Sequence, residues 1–335
     1  MFITQKLQYR INLSFIITLL IIVISCILYS NGSLDDVLAL LEKDNHLFYW
    51  MLLVGFFAEI IAGSMGMGYG VICTSILLML NIAPPVVSAS IHSAETFTTA
   101  AGSISHYKLK NVKKNLVIKL AIPAVFGAII GAITLTYVGE YYAKITKPFI
   151  ALYTLYLGIK ILENAYKEKI KNAPIKRTNL SRLGLVGGFI DSFGGGGWGP
   201  LVTGTLIKNS WLPRYAVGSS TVAKFILTLS SAITFIITIG IQHWNIIAGL
   251  LIGGIITAPF SAMLTAKLPH KKMFVIVGIL VIIMSLFTIT KSIFFFMRNL
   301  RNIIFQNFFS INCFTCIVDI KKRLDCINSK LFFFR

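Results

Sequence analysis

Two short stretches decide the fold: Gly63-Ser64-Met65-Gly66-Met67-Gly68-Tyr69-Gly70, and Asp191-Ser192-Phe193-Gly194-Gly195-Gly196-Gly197-Trp198-Gly199-Pro200. Each interrupts apolar sequence where a single helix would otherwise run. Glycine in a helix interior costs about 1 kcal/mol relative to alanine, so four in a row do not stay helical. Backbone unwound at membrane depth survives only where it is buried in protein or lines a cavity. The expectation is a pair of broken helices whose freed N–H groups face a ligand. Each break is followed by the positive end of a helix, which favours an anion. Pro200 suits a first helical turn.

The surroundings are those of a lipid-embedded chain. Of 335 residues, 56% are hydrophobic and only 13% are charged, and the mean hydropathy is +0.80. Soluble domains carry about a quarter charged residues. The apolar runs are continuous and near 20 residues long, unlike the alternating ten-residue segments of a β-barrel. They fall at 11–30, 47–64, 68–82, 86–105, 116–138 and 147–163, and then at 182–193, 197–208, 215–240, 244–266 and 273–296. The net charge of +19 reflects basic cytoplasmic loops and not nucleic-acid binding. Lys6 and Arg10 precede the first span. Asp35, Asp36, Glu42 and Asp44 follow it. Lys108 to Lys119 and Lys167 to Arg182 form two further basic segments. The N-terminus is therefore expected in the cytoplasm, with the chain in the cell's inner membrane.

The two glycine stretches belong to a repeat. Displaced by 129, residues 55–104 match residues 184–233 without a gap at 12 of 50 positions, among them Gly66/Gly195, Gly68/Gly197, Gly70/Gly199, Thr74/Thr203, Pro84/Pro213, Ser90/Ser219 and Thr99/Thr228. Chance in so skewed a composition gives roughly five. Each copy holds five apolar segments, an odd number. The first copy starts outside, after the acidic segment, and the second starts inside, after the basic one. The copies are thus expected upside down relative to each other, an architecture of secondary transporters. The expected fold is all-α and polytopic. Residues 1–46 form an N-terminal span and outside loop, 47–163 the first repeat, 164–181 a basic cytoplasmic linker, 182–296 the inverted second repeat and 297–335 a tail without a structural assignment.

Four charged residues lie inside apolar segments: Glu59, Glu95, Asp191 and Lys224. Each costs about 2.5–3.5 kcal/mol at a bilayer centre on insertion scales, and such residues mark functional sites. His92, Glu95, Thr99, Ser103 and His106 recur at helical spacing, as do Thr221, Lys224, Thr228 and Ser231, so each set forms one polar stripe. Lys224 suits a fixed positive charge for an anionic substrate. His92 and Glu95 suit proton transfer. The equally weighted alternative is a buried Glu95–Lys224 pair that fixes helix register. Asp191 is placed to cap its glycine run, and Glu59 lies on the same face as Gly66. The pairs Gly127/Gly131, Gly184/Gly188 and Gly249/Gly253 read as close helix packing. Cys313-Phe-Thr-Cys316 lacks a second ligand pair, so no metal or cofactor is expected. No nucleophile–base constellation suggests an enzyme.

With their Pro turns and Ser elements (Ala89-Ser90-Ile91-His92 and Gly218-Ser219-Ser220), the two glycine stretches resemble the sulfite exporter TauE/SafE family, also called the 4-toluene sulfonate uptake permeases, over about residues 47–290. That resemblance implies a permease for small sulfur-containing anions, coupled to an ion gradient. The expected substrate-binding set is Gly66, Gly68, Gly70, Gly195, Gly196, Gly197, Trp198, Gly199, Ser90, Ser219, Ser220 and Lys224. The expected proton- or ion-coupling set is His92, Glu95, Glu59 and Asp191. The lipid bilayer, a small anion and protons are the expected partners. A cation or metal permease, and a membrane scaffold without transport, are the competing readings.

Overall fold

The computed structural model describes residues 47–65, 67–166, 178–241, 243–264, 271–272 and 274–298. The expected N-terminal span, Gly66, most of the basic linker and the tail beyond Arg298 lie outside the described residues. The chain divides into two compact units, 1–288 and 289–335. The packing below is that of the first.

Helices account for nearly all the described residues, in the order α1 (Leu47–Met65), α2 (Tyr69–Met79), α3 (Pro84–Lys108), α4 (Lys114–Tyr141), α5 (Ala143–Tyr166) and α6 (Leu180–Gly194). A π-helical turn (Gly199–Thr203) then leads into α7 (Gly204–Lys208), α8 (Pro213–Ile239), α9 (Trp244–Leu264) and α10 (Phe274–Arg298). Among the described residues four helices are long and apolar enough to cross a membrane, within α4, α5, α8 and α10. Their lipid-facing character shows in the exposed stripe Ile118, Ile122, Phe126, Ile130, Ile133 and Tyr137 along α4. A water-facing helix would not present so continuous an apolar surface.

Local sequence sets the boundaries. α3 and α8 both begin on a proline at the first helical position, Pro84 and Pro213. The missing proline N–H costs nothing there. Asn179 caps α6 by accepting from the Arg182 N–H at 3.1 Å. The segment after the second break starts a helix, as expected, but does so through a π-helical turn at Gly199–Thr203. Pro200 lies in that first turn, where an N–H would have no intrahelical partner.

The largest helix interfaces join α1 to α9 and α4 to α6. Displacement by 129 carries α1 onto α6 and α4 onto α9, so these two interfaces are equivalent under that displacement. Small residues permit the approach. A Cβ on Gly127 or Gly131 would lie 2.1 or 2.5 Å from the carbonyl oxygens of Leu185 and Phe189. On Gly184 and Gly188 the distances to Leu120 and Ala124 would be 2.4 and 2.3 Å, and on Gly249 and Gly253 those to Phe48 and Leu52 would be 2.6 and 2.2 Å. The packing role read for these three glycine pairs is borne out.

The equivalent helices α3 and α8 cross at the centre. Their contacts step from Asn111–Gly218 through Ser103–Thr221 and Thr99–Thr228 to His92–Phe235. One number falls as the other rises, so the two helices run antiparallel.

Candidate functional site

α3 and α8 bring their polar stripes together. Glu95 and Lys224 form an ion pair across the crossing, with Glu95 buried and Lys224 nearly so. Lys224 is thus not an unpaired cation: a carboxylate already answers its charge. Beside this pair His92 and Asp191 are both fully buried, with His92 Nε2 3.6 Å from Asp191 Oδ2. Glu59 is buried on α1. Its Cβ, the Tyr69 hydroxyl and the Thr98 methyl converge on Gly254 of α9, and Glu95 and Lys224 are among the charges that act on it. The coupling set expected from sequence is therefore brought together.

The glycine breaks are real and meet each other. α1 and α2 are separated by a break in which Gly68 has φ +111°. α6 ends at Gly194, and Gly195 and Gly197 follow with φ +69° and +152°. A Cβ on Gly70 would lie 2.7 Å from the Gly195 oxygen, and one on Gly196 would lie 2.5 Å from the Gly70 carbonyl carbon. The two breaks are in backbone contact, so a substrate between them at this point requires them to separate.

The second break is fastened from several helices. Asp191 Oδ1 accepts from the Trp198 N–H at 2.7 Å, as its capping role anticipates. Thr74 of α2 donates to the Gly195 oxygen at 2.8 Å, and Tyr153 of α5 donates to the Gly196 oxygen at 3.0 Å. Ser88 donates to the Ser192 oxygen at 2.6 Å, while Ser192 and Ser231 share a hydroxyl contact. Trp198 Nε1 donates to Ser220 Oγ at 2.9 Å, and that oxygen also meets Thr203 Oγ1 at 2.6 Å. Unwound backbone buried at this depth must find such partners. The expectation of backbone N–H groups directed at a ligand is narrowed accordingly, because the Trp198 N–H is taken by Asp191.

Not every expected residue joins the cluster. Ser219 Oγ accepts from the Lys113 N–H at 2.9 Å and so secures the turn before α4. Ser90 lies in a separate shallow cleft with Ser93, Ile239 and His243. Sequence reading missed Thr74 and Tyr153. Thr74 carried a signal, its identity with Thr203 across the repeat. Tyr153 carried none.

A helical bundle with lipid-facing apolar sides, broken helices and a buried charged centre defines a polytopic membrane transporter. The chain matches the model of the sulfite exporter TauE/SafE family over residues 51–288 and belongs to that family. It is 39% identical over 240 residues to the "Probable membrane transporter protein YtnM" of Bacillus subtilis (strain 168), covering 69% of this chain and 79% of that protein. No solved structure matches it.

Proposed function

We propose that the protein is a secondary transporter of a small sulfur-containing anion, such as sulfite or a sulfonate, working by alternating access between two inverted repeats. The observation that carries this reading is the meeting of the two copies at a buried charged centre, Glu95–Lys224, between antiparallel equivalent helices. If both helices cross the bilayer, antiparallel equivalents place the two copies upside down relative to one another. Exchange of conformation between such halves turns an outward-open site into an inward-open one. The basic loops support a cytoplasmic N-terminus, in a chain read as lying in the inner membrane.

Charge balance then suggests the coupling. A proton on Glu95 releases Lys224 from its internal partner, and the substrate anion takes the carboxylate's place. The centre keeps the same net charge, and one proton travels with one negative charge. Separation of the glycine breaks gives the anion room beside Gly68, Gly70 and the Gly195–Gly199 run, with Trp198 and Ser220 at its edge; Gly66, expected in the same set, lies outside the described residues. Ser90 lines the cleft on one approach, Ser219 holds the turn before α4, and Glu59 is a second proton acceptor.

The test is uptake by proteoliposomes of labelled sulfite, taurine and divalent metal ions, with and without a pH gradient. Gradient-driven anion uptake is expected. Metal flux without anion flux overturns the proposal in favour of a cation permease, and the absence of any flux overturns it in favour of a scaffold.

A further inference from the structure

The Asp191 carboxylate does two things at once, and only one is accounted for by capping. Oδ1 holds the Trp198 N–H at 2.7 Å and so closes the second glycine break. Oδ2 is buried without a hydrogen-bond partner and faces His92 Nε2, which is likewise buried without one.

The His92 tautomer is set by its other nitrogen. Nδ1 lies 3.0 Å from the Ser88 carbonyl oxygen. A carbonyl only accepts, so Nδ1 carries a hydrogen. A neutral His92 would then direct the lone pair of Nε2 at a carboxylate oxygen 3.6 Å away. Two acceptors facing each other in a dry site are unfavourable, whereas one proton between them satisfies both.

The surrounding groups point the same way. From α3 and α8, Glu95 and Lys224 act on this pair. From α5 comes the Tyr153 hydroxyl, engaged on Gly196. From α1 and α2 come Glu59, Tyr69 and Cys73, which interact with Glu95. The Phe235 ring, 6.2 Å from the imidazole, supplies an apolar side. With Glu95 and Asp191 ionised and only Lys224 charged against them, the buried set carries one uncompensated negative charge even before Glu59 is counted. Lipid-embedded sites do not hold such a charge cheaply.

We propose that His92 and Asp191 form a proton-binding site whose occupancy controls the second glycine break. With the proton bound between Nε2 and Oδ2, Asp191 is held in place and its other oxygen keeps the break closed on Trp198. Loss of the proton sets the two acceptors against each other. Asp191 then swings away from His92, releases the Trp198 N–H and frees the Gly195–Gly197 segment to part from Gly70. This deepens the transport reading above by naming a control element of the same centre.

The experiment uses the full chain, labelled with ¹⁵N-histidine, in lipid nanodiscs. His92 resonances are assigned by their loss in His92→Gln. Between about pH 5 and pH 8, the range in which histidine ordinarily changes charge, His92 Nε2 is expected to lose its proton while Nδ1 keeps its own. In Asp191→Asn the proton affinity of His92 is expected to fall about tenfold. Hydrogen exchange at residues 195–198, corrected for the intrinsic effect of pH, is expected to quicken several-fold as the proton leaves. In His92→Gln it is expected not to follow pH. A His92 that does not titrate in this range, a transition indifferent to Asp191→Asn, or exchange that ignores the transition each overturns the proposal. None of these readouts involves transport. A protein that moves the anion yet shows no His92 transition refutes this proposal alone, and one that titrates without moving any anion refutes the transport reading alone.

Discussion

Thr99 of α3 and Thr228 of α8, separated by 129 residues, bring their hydroxyl oxygens within 3.4 Å where the two antiparallel helices cross. In an antiparallel pair a residue meets its own repeat equivalent only where a local twofold axis passes between them. Glu95 and Lys224, the equivalent pair one turn away, reach each other through the long lysine side chain. Positions 95 and 224, equivalent under the displacement of 129, thus carry a complementary charge pair.

An axis of that kind has a consequence for sidedness. Leu80 precedes the Pro84 turn and Leu212 precedes Pro213, and both are exposed. In a background with the native cysteines replaced, Leu80→Cys is expected to react with a membrane-impermeant maleimide on intact cells. Leu212→Cys is expected to react only after the cells are opened. Labelling of both from one side would exclude the inverted arrangement.

The charge pair predicts non-additive behaviour. Removing one member of a buried pair leaves an uncompensated charge and costs about 3–5 kcal/mol, while removing both together costs much less. Glu95→Gln and Lys224→Met are each expected to lower the midpoint of thermal unfolding in detergent, and the double variant is expected to recover most of the loss. Anion uptake is expected to stay low in the double variant. Recovery of uptake together with stability would reduce the pair to a register device.

Glycines divide by what a methyl group would meet. A Cβ on Gly196 would press on the Gly70 backbone at 2.5 Å, whereas one on Gly204 would meet nothing nearer than Asn164 at 3.6 Å. Overpacking costs about 1–3 kcal/mol or more, and alanine for glycine in an open helical position gains about 0.5–1 kcal/mol. Gly196→Ala is therefore expected to destabilise and Gly204→Ala to stabilise slightly, as read from thermal unfolding of the two purified variants.

Much of this was legible in the sequence because the bilayer restricts what a chain can do. Among the described residues, the apolar runs, the prolines at 84 and 213 and the glycine runs each correspond to a helix body, a helix start or a break. The stripes through Glu95 and Lys224 could be drawn because helical spacing places them on one face. Which partner each residue takes could not be drawn. Ser90 and Ser219 are identical across the repeat, yet one lies in a cleft and the other fastens a turn. Tyr153 reaches Gly196 across 43 residues of sequence, a contact set by how α5 lies against the break and written in no local pattern. Pro200, read as fitting a helix's first turn, sits in a π-helical turn that no local pattern announces.

The fasteners of the second break offer the remaining test. Thr74 and Tyr153 satisfy two adjacent carbonyls, those of Gly195 and Gly196. Leaving a buried acceptor unsatisfied costs about 1–3 kcal/mol. Thr74→Val and Tyr153→Phe keep shape and remove one hydroxyl each, so each is expected to lower thermal stability by that order. Hydrogen exchange is expected to quicken at residues 194–199 and to stay unchanged along α4, whose contacts with α6 do not involve these hydroxyls. The two carbonyls are neighbours on one strained segment, so the double variant is expected to cost less than the sum: once one fastener is gone the segment can shift and find water for the other. Unchanged stability in both single variants, or quickened exchange spread evenly over the bundle, would show that the break is held by the packing of Gly70 against Gly196 and not by these bonds.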